Sequence, residues 1–230
     1  MIRRIPAENR HFTDAGWLKT YWLFSFSDYY DPKNLSHGAL RVFNDDIVAP
    51  QNGFPDHPHI SYQIITIVLQ GELTHWDDAG NRGVIKAGDV QRMNAGSGIF
   101  HSEFNYGNEA LHLYQIWITP EFEGENPSYE QRHFDFTEKN KLTLLVAHKG
   151  NGCLSMSSKS SIYHGNFEQN RKISYTPAPG RKLFIYITYG EITINNEHFT
   201  KSDQGRIEGE MNLQIQSLTD TEFVLIDIPG

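Results

Sequence analysis

Ile64-Ile65-Thr66-Ile67-Val68-Leu69-Gln70-Gly71-Glu72-Leu73-Thr74 is a β-branched apolar run, a Gly-Glu break and the start of a second run. The pattern returns in the second half as Phe184-Ile185-Tyr186-Ile187-Thr188-Tyr189-Gly190-Glu191-Ile192-Thr193-Ile194. Short runs of this kind, broken by glycine and asparagine, read as strands joined by tight turns. Asp77-Asp78-Ala79-Gly80-Asn81 marks one hairpin turn and Asn195-Asn196 another. The weak internal repeat points to two related β-barrel halves. Leu111 to Thr119 is a further strong strand, ended by Pro120. Helical periodicity is scarce; the best helical candidate is a short one at residues 126–132. The texture becomes polar and looped near residues 120–155. That shift divides the chain into an N-terminal barrel, 1–135, and a C-terminal barrel, 136–230.

The 230 residues, 38% hydrophobic and 13% aromatic, are enough for a substantial core. A formal net charge of −8 without a long basic run argues against direct nucleic-acid binding, which needs Lys and Arg for phosphates. The single cysteine, Cys153, excludes an intrachain disulfide and fits a reducing compartment. The N-terminal MIRRIPAENR lacks the apolar run of a signal peptide, and no window has the length of a membrane span. The expectation is a cytoplasmic monomer without a membrane partner.

Within the first half, His57-Pro58-His59 and His101-Ser102-Glu103 each place two metal-ligating side chains two residues apart. Side chains alternate along a strand, so each pair shares a face and two neighbouring strands can aim four donors at one ion. Pro58 cannot donate to a ladder, which puts the first pair at an edge or the start of a strand. The same alternation joins His57, His59 and Gln63 to Ile65, Ile67 and Leu69. If those aliphatics fill the barrel, the histidines point inward too. Ala95-Gly96-Ser97-Gly98 supplies a tight turn or a close backbone approach just before His101. His75 is the reserve ligand. His112 reads as a packed strand residue, and His11, His37, His133, His148, His164 and His198 as surface or hydrogen-bonded groups. The second half carries no clustered ligands, so only the first barrel is equipped for a metal. No nucleophile elbow, P-loop or dinucleotide fingerprint occurs.

The ordered set His57-Pro58-His59, Ile67-Val68-Leu69-Gln70-Gly71-Glu72, His75, Asp77, Gly80-Asn81, Gly88-Asp89-Val90-Gln91, Met93, Ala95-Gly96-x-Gly98 and His101-Ser102-Glu103 resembles the pirin family of the cupin superfamily. It is most similar to the bacterial pirin-like quercetin 2,3-dioxygenases. The likeness runs over nearly the whole chain and is weakest at residues 150–183. It implies an all-β bicupin of two stacked antiparallel barrels of jelly-roll type, with little helix. It also implies one divalent metal on His57, His59, His101 and Glu103. That metal is typically iron, with copper, nickel, manganese, cobalt or zinc as alternatives. The implied activity is ring opening of a flavonol such as quercetin with O₂ and release of carbon monoxide. Glu103 is then the nearest proton acceptor as well as a ligand. Pirins also act as redox-sensitive regulatory binding proteins, and the same ligand set fits that role. Gln63 departs from the pattern, because cupins and pirins commonly carry glutamate four residues after the second histidine. Phe54 and Phe104 are candidate stacking residues at the mouth.

Overall fold

A computed structural model describes residues 1–150 and 152–230. Strand follows strand, and the only helical turn among the described residues is the 3-10 segment Ala7–Asn9. No helix among them is long and apolar enough to cross a membrane.

Four sheets account for the strands. In the first barrel Asn52–His59, Ile99–Asn105, Glu72–Asp77 and Arg82–Lys86 lie side by side in a four-stranded sheet. It faces a seven-stranded sheet ordered Ser128–His133, Asp89–Asn94, Gln63–Gln70, Leu111–Ile118, Leu40–Val48, Leu18–Trp22 and His11–Asp14. The second barrel repeats the plan. Its four-stranded sheet is Lys172–Tyr175, Leu213–Ser217, Glu191–Ile194 and Glu197–Thr200. Its seven-stranded sheet is Ile2–Ile5, Gln204–Glu208, Lys182–Tyr189, Thr221–Ile228, Ser161–Phe167, Lys141–Ala147 and Leu154–Ser155. The amino-terminal strand Ile2–Ile5 therefore crosses over to pair with Gln204–Glu208 of the second barrel. Among the described residues pairing is antiparallel, save the two-residue match of Val146 and Ala147 with Leu154 and Ser155.

The repeat seen in the sequence is, in each barrel, a strand of the seven-stranded sheet that turns at Gly71 or Gly190 into the four-stranded sheet, where the next strand opens a hairpin, and the two hairpins match. Asn195 and Asn196 close one of them with positive φ values of 45° and 76°, the left-handed pair that a two-residue hairpin turn requires. Asp77 closes the other by accepting from the Asn81 backbone and side-chain amides.

The two seven-stranded sheets pack face to face. Their shared core joins Phe43, Ile65, Ile67 and Ile116 of the first barrel to Phe184, Tyr186, Val224 and Ile226 of the second. This corrects the direction assigned to Ile65, Ile67 and Leu69, which look at the other barrel rather than into their own. The residues that fill the first barrel are the alternate set, Ile64 and Val68. Alternation could not be carried from His59 to Gln63, because residues 60–62 carry the chain from one sheet to the other. Gln63 consequently donates to the Ser157 hydroxyl, 3.0 Å away in the second half of the chain, and does not stand among the histidines.

Residues 126–132 are not helical. Ser128–His133 is an edge strand paired with Asp89–Asn94. An edge strand needs few apolar residues, so Tyr-Glu-Gln-Arg gives no strand signal in the sequence. Tertiary contacts decide the conformation, with Glu130 taken up by Arg92 and Ser155.

Candidate metal centre

Three adjacent strands of the first four-stranded sheet build the site. His101 lies directly opposite His57 on one side and Asp77 on the other, and Glu103 lies opposite His75. Directly opposed residues share a face in an antiparallel pair, as do residues two apart on a strand. His57, His59, His75, Asp77, His101 and Glu103 thus all project into the first barrel. The ladder between the His57 and His101 strands shifts register between His101 and Glu103, where Glu103 pairs with Phe54. Gly53 makes this close approach possible. A Cβ there would lie 2.3 Å from the Glu103 carbonyl oxygen, so a larger residue would push the two strands apart. Gly96, at φ 48°, turns beneath Glu125, whose carbonyl would be 2.2 Å from a Cβ. That turn starts the strand carrying His101.

His57, His59 and His101 bring one ring nitrogen each to within 4.8 Å of one another, and His75, His101 and Glu103 form a second such group that shares His101. The His57 and His101 Nε2 atoms are 3.1 Å apart. Hydrogen bonding decides what those atoms carry. His57 Nδ1–H donates to the Pro55 carbonyl at 2.8 Å, which leaves a lone pair on Nε2. Burial works to raise the Asp77 carboxyl, but the Asn81 donors and His75 outweigh it and hold Asp77 below its usual value. Asp77 then accepts from His75 Nε2–H at 3.2 Å. The remaining His75 nitrogen, Nδ1, faces His101 Nδ1 at 3.4 Å and accepts from it. His101 Nε2 is therefore a lone pair as well, and the two lone pairs point at each other. Metal–nitrogen bonds of about 2.1 Å at ordinary bond angles put neighbouring ligand nitrogens about 3.0–3.4 Å apart. The 3.1 Å edge matches a cation seated between the rings. Burial, then the charges of the neighbouring histidines, pushes His59 and His101 down to about 3, so both rings are neutral donors near pH 7.

Glu103 is wholly buried. Its two oxygens accept from the Gln91 and Gln115 side-chain amides at 3.0 and 2.9 Å. Both glutamines come from the facing seven-stranded sheet, so they span the barrel to fix the carboxylate. Gln115 is itself oriented by the Trp117 indole, 3.2 Å from its oxygen. A carboxylate has about four lone-pair positions, so donors remain for an ion. His75 stands behind His101 instead of beside His57 and His59, with Tyr129 stacked on its ring at 4.8 Å. Gly83 leaves room for that tyrosine, since a Cβ there would lie 2.4 Å from its hydroxyl.

A cavity of about 320 Å³ opens beside His57 and His59. Trp22, Phe26, Phe54 and Trp117 wall it, and Asn44, Asp46 and Gln115 supply polar atoms. Phe54 lies at the mouth as expected. Phe104 does not, because it shares parity with Phe100 and Ser102 on the outer face and packs on Tyr106 at 4.4 Å. Sequence reasoning passed over Asn44, Asp46, Gln91 and Gln115. Only the alternation of Asn44 and Asp46 with Phe43 and Asp45 could have exposed the first pair. Among the described residues, both groups able to hold a metal lie in the first barrel.

Comparison with known proteins places this geometry. Residues 6–118 match the Pirin family model, and residues 144–228 match that of the quercetinase C-terminal cupin domain. A quercetin 2,3-dioxygenase of Escherichia coli K12 is 38% identical over 230 residues, covering 100% of this chain and 99% of that protein. A pirin-like protein of Caulobacter vibrioides is 37% identical, covering 99% of each. The crystal structure of the E. coli bacterial pirin YhhW in complex with nickel(II) superposes with a TM-score of 0.96 at 37% identity, covering 100% of both chains.

Proposed function

The chain belongs to the pirin family, and from that premise we propose that it is a metal-dependent dioxygenase that opens the heterocycle of flavonols such as quercetin with O₂ and releases carbon monoxide. The observation that carries the reading is the pair of opposed imidazole lone pairs, 3.1 Å apart, beside a buried carboxylate and an aromatic-walled cavity. His57, His59, His101 and Glu103 would hold one divalent ion, with iron as the native metal. Three imidazoles and a carboxylate suit first-row metals generally, and nickel occupies a relative of the same fold. The reading also keeps residues 1–135 and 136–230 as the two barrel units, with Ile2–Ile5 lent to the second sheet.

Such an ion would supply a Lewis acid for a phenolic oxygen and a redox centre for O₂. The chain's own residues do the rest. Gln91 and Gln115 hold Glu103 in one orientation, so it serves as ligand and as the nearest acceptor for the flavonol hydroxyl proton. Trp22, Phe26 and Trp117 form walls suited to a flat ring system and exclude water from it. Pro55 and His75 keep the tautomers of His57 and His101 in the donor state.

The test is direct. Protein loaded in turn with Fe²⁺, Ni²⁺, Mn²⁺, Co²⁺ and Cu²⁺ is incubated with quercetin in air. Loss of flavonol absorbance, matched O₂ uptake and carbon monoxide in the headspace are expected with at least one metal. No turnover with any of them overturns the reading.

A further inference from the structure

Asn44 and Asp46 have no part in holding a metal, yet they are buried, 2% and 3% exposed, against the same cavity as His57 and His59. They sit two apart on the strand Leu40–Val48, so both side chains point into the barrel while Phe43 and Asp45 point to its partner. Each has an Oδ1 atom that has no hydrogen-bond partner and almost no accessible surface, so a ligand in the cavity reaches it only as the side chain turns outward. Thr20, opposite Asp46, offers its hydroxyl to that carboxyl. Buried polar atoms are paired in more than nine cases in ten, so two unpaired acceptors side by side in one cavity need a reason. Asp45 shows what the same strand does when its carboxylate serves structure: it accepts from His112 at 2.7 Å and Tyr186 at 2.7 Å.

The walls say what shape of molecule reaches these acceptors. Phe26 packs edge-on against both Trp22 and Trp117, with centroids 5.5 and 5.3 Å apart, and Trp117 in turn packs edge-on against His59 at 4.7 Å. A planar aromatic ligand fits such walls. Gln115, directly opposite Asn44 in the ladder, joins the acceptor pair to Glu103.

We propose that Asn44 and Asp46 are the specificity element of the cavity, accepting hydrogen bonds from the peripheral phenolic hydroxyls of a flat polyhydroxylated ligand whose other edge faces His57 and His59. The proposal rests on the flavonol reading for its choice of ligand. A ligand without those hydroxyls buries both acceptors unpaired, which is how a polar pocket rejects an analogue that lacks a donor. Burial, with the nearby Asp45 and Glu103 charges, raises the Asp46 carboxyl to about 7, opposed by Thr20 and His112. A donor hydroxyl on the free oxygen would relieve that desolvation.

The experiment compares quercetin with 3-hydroxyflavone, which keeps the hydroxy-ketone edge and lacks the peripheral hydroxyls. Both are titrated without O₂ into nickel-loaded protein, following quenching of tryptophan fluorescence, after metal content has been measured. The native protein should prefer quercetin by about tenfold to a hundredfold. Asp46→Leu and, independently, Asn44→Ala should bring the ratio close to one, while Asp46→Asn, which keeps an accepting oxygen, should retain most of it. Folded, fully loaded Asn44→Ala or Asp46→Leu protein with the native ratio overturns the proposal. A native ratio near one overturns it as well. Absence of turnover in air with the ratio intact sinks the dioxygenase reading and leaves this one standing.

Discussion

His101 in the first barrel stands opposite His57 and Asp77; in the second barrel Ile215 stands opposite Ile173 and Ile194. By the same registers Glu103, opposite His75, corresponds to Ser217, opposite Ile192. Strand order and hairpins repeat from one barrel to the other, while the side chains inside do not. Backbone pairing therefore fixes the scaffold, and the interior is left free to be oil or site. The second barrel uses it as oil, packing Ile185, Ile192, Phe199, Ile215 and Phe223 together. A hollow of about 420 Å³ beside that barrel is lined mainly by outward-facing residues such as Thr193, Gln214 and Gln216, so it is not a second interior site. The first barrel gives up that apolar volume to imidazoles, carboxylates and amides, which stabilise nothing until partnered.

The hardest test of the contrast puts the second barrel's residue into the first. His101→Ile, with its fold verified by circular dichroism, should lower metal affinity on the order of a hundredfold or more. Elemental analysis of the purified variant decides it; native metal content would mean that the ligands are elsewhere. Next comes Asp46→Asn. In the unfolded chain this carboxyl titrates near 3.8, and in the fold near 7. Below pH 4 both states are protonated and the substitution should change little. As pH rises toward 7 the unfolded chain loses its proton first, so the native protein is progressively disfavoured. Above pH 7 the penalty levels off at about 4 kcal/mol, at 1.36 kcal/mol per unit. Denaturation of Asp46→Asn at pH 8 should therefore show a gain approaching that size, fading to nothing by pH 4. An equal effect at both pH values would remove the buried carboxyl from the account. Ile215→Ala in the second barrel should cost about 3 kcal/mol of stability through its cavity and leave metal content untouched.

Much of this was legible before any coordinates. The repeat around Gly71 and Gly190 revealed two like barrels, because an apolar run, a Gly-Glu corner and a second run form a pattern local in the chain, even though the corner leads from one sheet to the other. The two spaced pairs revealed four candidate ligands, because alternation along a single strand is local too. What failed was side-chain parity carried from one sheet to another, and contacts made between sheets. Parity carried from His59 to Gln63 passed through the bend at residues 60–62 and came out on the wrong face. The strand Ser128–His133 could not be read, since its conformation is imposed by pairing with Asp89–Asn94. The roles of Gln91 and Gln115 could not be read for the same reason: they arise only because the facing sheet brings both side chains to Glu103.

Two imidazole–carboxylate pairs, one from each barrel, separate geometry from chemistry. His198 meets Glu191 at 3.0 Å in the second barrel, with the two side chains 52% and 46% exposed. His75 meets Asp77 at 3.2 Å in the first, with both at 0%. The exposed pair is screened by water and should contribute about 0–1 kcal/mol at most. The buried pair has a further task, because His75 Nδ1 accepts from His101 and so fixes which nitrogen of His101 is free. His75→Phe keeps a ring against Tyr129 and removes that acceptor. Metal affinity should then fall by about tenfold to a hundredfold, the size expected when the partner of a ligating histidine is lost. The absorption bands of the nickel or cobalt form should shift as His101 reorients. His198→Phe should alter neither. Equal metal affinity in the two variants would reduce His75 to a packing residue and leave the tautomer of His101 to be set by the ion alone.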